Sequence, residues 1–129
     1  MTQPSEYQPD PLAMERGRDL MKQVYGWDIG EVSGDFVKMT VGHLFGTVWA
    51  RDTTLSIRER RLLLIGMMVG QGLNDVVGLQ LECARSLGEL SDEELREMVV
   101  FLAHYVGWPR GAQLNQIVEG LIAKSSKEV

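Results

Sequence analysis

The stretch GELSDEELREMVVFLAHYVGWPRGAQ, residues 88–113, decides how this chain is read. Ser91 followed three residues later by Glu94 is a capping box, in which each side chain satisfies a backbone N–H at a helix start. Asp92, Glu93 and Glu94 sit where the helix dipole favours negative charge. Leu95, Met98, Val99, Leu102 and Val106 then recur at helical spacing and form one apolar stripe. Pro109 cannot continue that helix, but its fixed φ suits the opening of the next. The stretch therefore spells a capped amphipathic helix, a break at Gly107-Trp108-Pro109, and the start of another helix.

Upstream the same grammar repeats. Asp10-Pro11 reads as an N-cap with proline at the first helical position, and the helix runs to about Tyr25 with Gly26 as its C-cap. Residues 26–34, GWDIGEVSG, form a loop. A second helix is expected from near Asp35, capped by Ser33 or Gly34, with Val37, Val41, Leu44 and Val48 as its stripe and an end near Trp49. Ser56 and Glu59 make another capping box. The helix they open, RRLLLIGMMVG, is apolar on nearly every face and is expected to be the central buried one. Gly66 and Gly70 upon it are expected to admit a closely packed neighbour. Asn74 or Asp75 caps a fourth helix ending at Gly88, and the sixth runs from Pro109 to about Ala123. No segment alternates with period two long enough for a strand. The expected fold is an all-α, single-domain bundle of about six helices over residues 10–124, with polar tails at 1–9 and 125–129.

Composition narrows the function classes. The 129 residues suffice for one core, and 44% hydrophobic with 24% charged residues is the balance of a globular protein. A formal net charge of -5 argues against a nucleic-acid partner, which needs clustered cations; only Arg58, Arg60 and Arg61 cluster. The single cysteine, Cys83, permits no intrachain disulfide and suits a reducing, cytoplasmic setting. No charged and apolar leader opens the chain, so no signal peptide is expected. The apolar run Leu62–Met68 is too short to span a membrane, so no membrane association is expected.

No zinc motif, phosphate loop, dinucleotide fingerprint or serine-hydrolase elbow is present. Proton transfer near neutral pH falls most naturally to the two histidines. His104 shares a helix face with Glu97, Val100 and Phe101, and Tyr105 lies beside it at the helix end. That pair is either a reactive couple or a helix terminus, with Tyr105 hydrogen-bonded to a backbone carbonyl. His43 shares a face with Phe36, Met39 and Thr40, the setting of a hydrogen-bonded core histidine or of a buried acid–base group. Cys83 shares a face with Val76, Gln80 and Leu87 and reads as a small hydrophobe. Gln80 faces either a pocket or solvent. Trp49 and Arg51 suit a carboxylate-bearing ligand, or equally an interface. Arg58, Arg60 and Arg61 read as a solvated helix start or as partners for acids of a neighbouring subunit.

Three stretches together carry a resemblance: FGTVWARDTTLSIRERRLLLIGMM (45–68), GELSDEELREMVVFLAHYVGWPRGAQ (88–113), and the helix between them. Their order and spacing resemble the carboxymuconolactone decarboxylase family, related to thiol peroxidases of the alkyl hydroperoxidase D type. The segment at 45–68 resembles the family's Gly-x-Val-Trp-x-Arg segment. The one at 88–113 is similar to its Leu-(Ser/Thr)-x-(Asp/Glu)-Glu helix followed by Tyr-x-Gly-x-Pro. The resemblance spans residues 12–122. It implies an alkyl hydroperoxidase D-like helical fold, a homo-oligomer (trimer or hexamer), and a lyase without metal or organic cofactor. The implied substrate is a small carboxylated lactone or related ring compound, in aromatic compound catabolism. The peroxidase branch's Cys-x-x-Cys is absent, since Cys83 is flanked by Gln80 and Ser86, so thiol peroxidase activity is not expected. Where the decarboxylase branch carries its histidine, this chain carries Gln80, which hydrogen-bonds but does not shuttle protons.

The implied chemistry is loss of carbon dioxide to leave a dienolate, which needs a carboxylate clamp, an oxyanion donor and one proton. Under that reading Arg51 holds a carboxylate, Gln80 donates to the oxyanion, and His104 or His43 supplies the proton. Trp49, Tyr105, Trp108, Glu82 and Cys83 line the substrate. Two rivals stand beside it. One is a diverged isomerase, cyclase or hydrolase acting on another metabolite; the other is a non-catalytic oligomeric binding protein.

Overall fold

The computed structural model describes residues 7–127, with side chains through 125. Most of the expected N-terminal tail, residues 1–6, and residues 128–129 therefore lie outside the described residues. The described residues are all-helical, with no strand among them. The elements are α1 (Pro11–Tyr25), α2 (Asp35–Met39), which passes directly into a π-helical segment (Thr40–Trp49), α3 (Ile57–Gln71), α4 (Asn74–Ser86), α5 (Asp92–Val106) and α6 (Trp108–Lys127). Counting α2 and its π-helical continuation as one, there are six helices among the described residues. The contacts divide the chain into two compact units, Met1–Arg60 and Arg61–Val129. No described helix is long and apolar enough to cross a membrane.

In the first unit, α1 opens with Pro11 and closes on Gly26, whose φ of 88° lets its N–H reach the Lys22 carbonyl at 2.7 Å. Asp10 precedes the helix without a side-chain capping bond. The second helix departs from its expected form at Thr40, where the α-turn widens to a π-turn. Thr47 Oγ1 donates across that turn to the Gly42 carbonyl five residues back, at 3.1 Å. A turn closed by i→i+5 bonds holds more residues than an α-turn, so the buried stripe steps by four. Val41, Phe45 and Trp49 face inward in consequence, while the expected Val37 and Leu44 are exposed. Phe45 stacks on Trp49 at 5.2 Å between centroids, and Tyr25 closes on Phe45 at 5.9 Å.

The close helix approach predicted for Gly66 and Gly70 is absent there. A methyl group built on Gly66 would meet nothing within 4 Å, and one on Gly70 only the Val106 side chain at 3.9 Å. It occurs at other glycines, at Gly111 against Ala103 in the second unit and more tightly in the first unit. A Cβ at Gly17 would lie 1.8 Å from the Val41 carbonyl oxygen, and one at Gly46 would lie 2.1 Å from that of Ala13. Arg16 Nε then donates to the Gly46 carbonyl at 3.0 Å.

The second unit buries Ile65 and Val69 of α3, Val77, Leu81 and Ala84 of α4, Leu90 and Leu95, and Leu114 and Val118 of α6 as one core. Helix α3 is not buried all round. Arg61, Ile65 and Val69 face inward at four-residue spacing, while Leu63 and Met67 are exposed. Both halves of the Ser91–Glu94 capping box are made, at 3.1 and 3.0 Å. Helix α4 begins after Leu73 with no side-chain cap and ends at Ser86, two residues before Gly88. Helix α6 starts at Trp108, one residue before the proline, and continues past Ala123 to Lys127.

Candidate functional site

Helix α3 delivers Arg61 into the interior of the second unit, where its side chain is fully buried. A buried guanidinium must be paired and hydrogen-bonded to persist. Glu89, on the turn between α4 and α5, supplies the pairing as a two-bonded fork: Arg61 Nε donates to Oε1 at 2.6 Å and Nη2 to Oε2 at 3.2 Å. The remaining edge of the guanidinium faces α4, where Nη1 donates to Gln80 Oε1 at 2.9 Å. No buried side-chain nitrogen or oxygen among the described residues lacks a hydrogen-bond partner.

This arrangement determines the Gln80 amide. Its oxygen must face Arg61, which has only donors to offer, so its NH2 group turns away from the guanidinium. The result is a neutral, oriented donor on a nearly buried side chain. Cys83, one turn further along α4, is also buried. Burial pushes its thiol pKa up, the positive charge of Arg61 opposes the rise, and Glu82 adds to it. A thiol kept in its neutral form is a poor nucleophile.

The other sequence candidates lie elsewhere. His104 is exposed near the end of α5. Its Nδ1 lies 2.7 Å from the Val100 carbonyl oxygen, which assigns a proton to Nδ1. The ring meets Trp108 edge-on at 5.5 Å. Tyr105 is 78% exposed against Phe101, and its hydroxyl makes no hydrogen bond among the described residues, unlike the carbonyl contact expected of it. His43 is exposed on the π-helical segment, not in the core. Arg51 is exposed and forms no ion pair among the described residues, whereas Trp49 is core, stacked on Phe45.

Glu82 is exposed and lines a cavity of about 670 Å³ with Arg85, Ser86, Ser91, Asp92 and Lys124 among its other walls. Across it Arg85 grips Asp92 at 2.6 and 3.2 Å, and that hydrogen bonding holds the Asp92 carboxyl below the usual carboxylate range. Trp108 borders a groove of about 280 Å³ between α5 and α6. No cluster of three His, Cys, Asp or Glu side chains among the described residues has the arrangement of a metal site.

Of the nine candidates, His43, Trp49 and Arg51 belong to the first unit and the other six to the second. The structure brings Gln80 and Cys83 together around Arg61 and forms no hydrogen bond from His104 to that group. Arg61 and Glu89 were missed as members of the site. The signal for Arg61 was its position four and eight residues before Ile65 and Val69, on the buried stripe instead of the solvated face. Glu89, a lone acid in a Gly-Glu-Leu turn, offered no comparable signal. No family model, curated protein or solved structure matches the chain.

Proposed function

We propose that the chain is a cofactor-independent lyase of the carboxymuconolactone decarboxylase kind, acting on a small carboxylated lactone or related ring compound as a homo-oligomer. The observation that carries this reading is the orientation of the Gln80 amide, whose oxygen is held by Arg61 so that its N–H groups remain as donors. In the proposed reaction the bond from the ring to the carboxylate carbon breaks and carbon dioxide leaves. The electron pair passes into the ring as a dienolate, and a proton is added at carbon. An N–H donor whose orientation is already fixed needs no reorganisation as the oxyanion develops. Gln80 stabilises the charge but transfers no proton, so the proton falls to His104, the histidine of the same unit. Trp49 leaves the substrate-lining set, since its ring is spent in the core.

The test is turnover of freshly generated 4-carboxymuconolactone, followed as substrate loss and carbon dioxide release. Gln80→Leu is expected to lower kcat by about 100-fold, the scale of a lost oxyanion donor, in protein shown by circular dichroism to be folded. Wild-type protein that does not exceed the uncatalysed rate overturns the decarboxylase reading. A second reading, a non-catalytic oligomeric binding protein, is favoured by the exposure of both histidines, Arg51 and Tyr105. It expects substitution of His43, Gln80, Glu82, Cys83 and His104 to leave function intact. Peroxidase chemistry is disfavoured by the single cysteine and its raised thiol pKa.

A further inference from the structure

The outer face of α5 carries Glu97, Val100, Phe101 and His104, all exposed. Their order along the helix is acid, apolar, apolar, base, and their spacing is symmetric about the point between Val100 and Phe101. We propose that a second copy of this chain docks on this face by a two-fold axis through that point, setting the two α5 helices antiparallel. The axis sets Val100 of one copy opposite Phe101 of the other, and Glu97 of one opposite His104 of the other. Each partner then lies about 5 Å along the helix from the axis, given the helical rise, so the Glu97 carboxylate of one copy stands level with the imidazole of the other. A parallel pairing would instead oppose like residues and set two glutamates together. An isologous interface requires this kind of self-complementarity.

Two further observations fit the same occupant. Within one chain neither Glu97 nor His104 forms an ion pair among the described residues, and the groups on the His104 ring are the Val100 carbonyl and the Trp108 edge. With Nδ1 committed to the Val100 carbonyl, Nε2–H of the imidazolium form is the donor left to meet a carboxylate, and the partner subunit's Glu97 supplies one. Glu97 of the same helix lies two turns back and does not reach it. Val100 borders a groove whose lining includes the small residues Ala103, Gly111 and Ala112, room for the exposed Phe101 ring of the second copy. The inference deepens the role of His104, because the second copy completes the ring's surroundings. It is read without turnover, so it stands or fails independently of the lyase reading.

The experiment is sedimentation velocity on the full chain across a micromolar concentration series at low salt. Wild type is expected to self-associate. His104→Glu and Glu97→Lys are each expected to weaken the self-association Kd by about tenfold or more, because each sets like charges across the axis. The double variant Glu97→Lys/His104→Glu, which reverses both partners, is expected to recover most of that loss. Phe101→Ala is expected to weaken association without altering the helical circular dichroism. Monomeric wild type, single variants that associate like wild type, or a double variant no better than the singles would each overturn the proposal.

Discussion

Arg61 concentrates the energetics of the second unit in one side chain. It is fully buried, and its partners include Glu89 on one edge and Gln80 on the other. Desolvating a charge is tolerable only while its partner remains. Glu89→Leu leaves the guanidinium without its counter-charge and is expected to cost about 3–5 kcal/mol in urea unfolding. Gln80→Leu removes one neutral acceptor and is expected to cost about 1–3 kcal/mol. The double variant Arg61→Leu/Glu89→Leu removes charge and counter-charge together and is expected to be less damaging than Glu89→Leu alone. A double variant that loses as much as the two singles combined would show that the residues do not act as a pair. At this scale the sequence was only partly legible. Gln80 and Cys83 stood out by helix spacing and by the resemblance. The fork on Arg61 was not visible, because the pairing joins residues 28 apart through the third dimension.

At the scale of elements, local signals carried furthest. The Ser56–Glu59 and Ser91–Glu94 boxes are both made, and Gly26 closes α1 in the left-handed region as its position suggested. These features depend on neighbours within four residues, which a sequence displays directly. The π-helical segment and the placement of close glycine contacts depend on what packs against the helix, and they differed from expectation. The contrast is measurable. Gly46→Ala would push a methyl group into the Ala13 carbonyl, a backbone atom with no freedom to yield, and is expected to cost about 3 kcal/mol or more. Gly66→Ala adds a methyl group where nothing lies within 4 Å and is expected to stabilise by about 0.5–1 kcal/mol through helix propensity. Thermal unfolding of the two variants beside wild type decides it. Equal effects would remove the steric account of Gly46.

For the whole molecule, pH acts through groups in both units. Hydrogen bonding holds the carboxyl pKa values of Glu59, Asp92 and Glu119 down: Ser56 bonds Glu59, Arg85 bonds Asp92, and Arg96 bonds Glu119. A carboxyl with a depressed folded-state pKa binds its proton more weakly when folded. Its stabilisation is therefore present above the unfolded value of about 4 and is lost as pH falls through the folded value. Cys83 works in the opposite direction, since burial raises its thiol pKa. The unfolded thiol ionises first, so its contribution is intact below about pH 8.5 and is lost as pH rises beyond it. The melting temperature is thus expected to be flat through neutral pH, to fall below about pH 4, and to fall again above about pH 8.5. Asp92→Asn is expected to flatten part of the acid limb and Cys83→Ala part of the alkaline limb, each leaving the other unchanged. All three carboxylates are largely solvated, so their share of the acid limb is expected to shrink in high salt, where exposed ion pairs are screened. The thiol contribution arises from burial and is expected to persist there. An alkaline limb that vanished with salt would mean that surface charge, not the buried cysteine, sets the upper edge of the stable range.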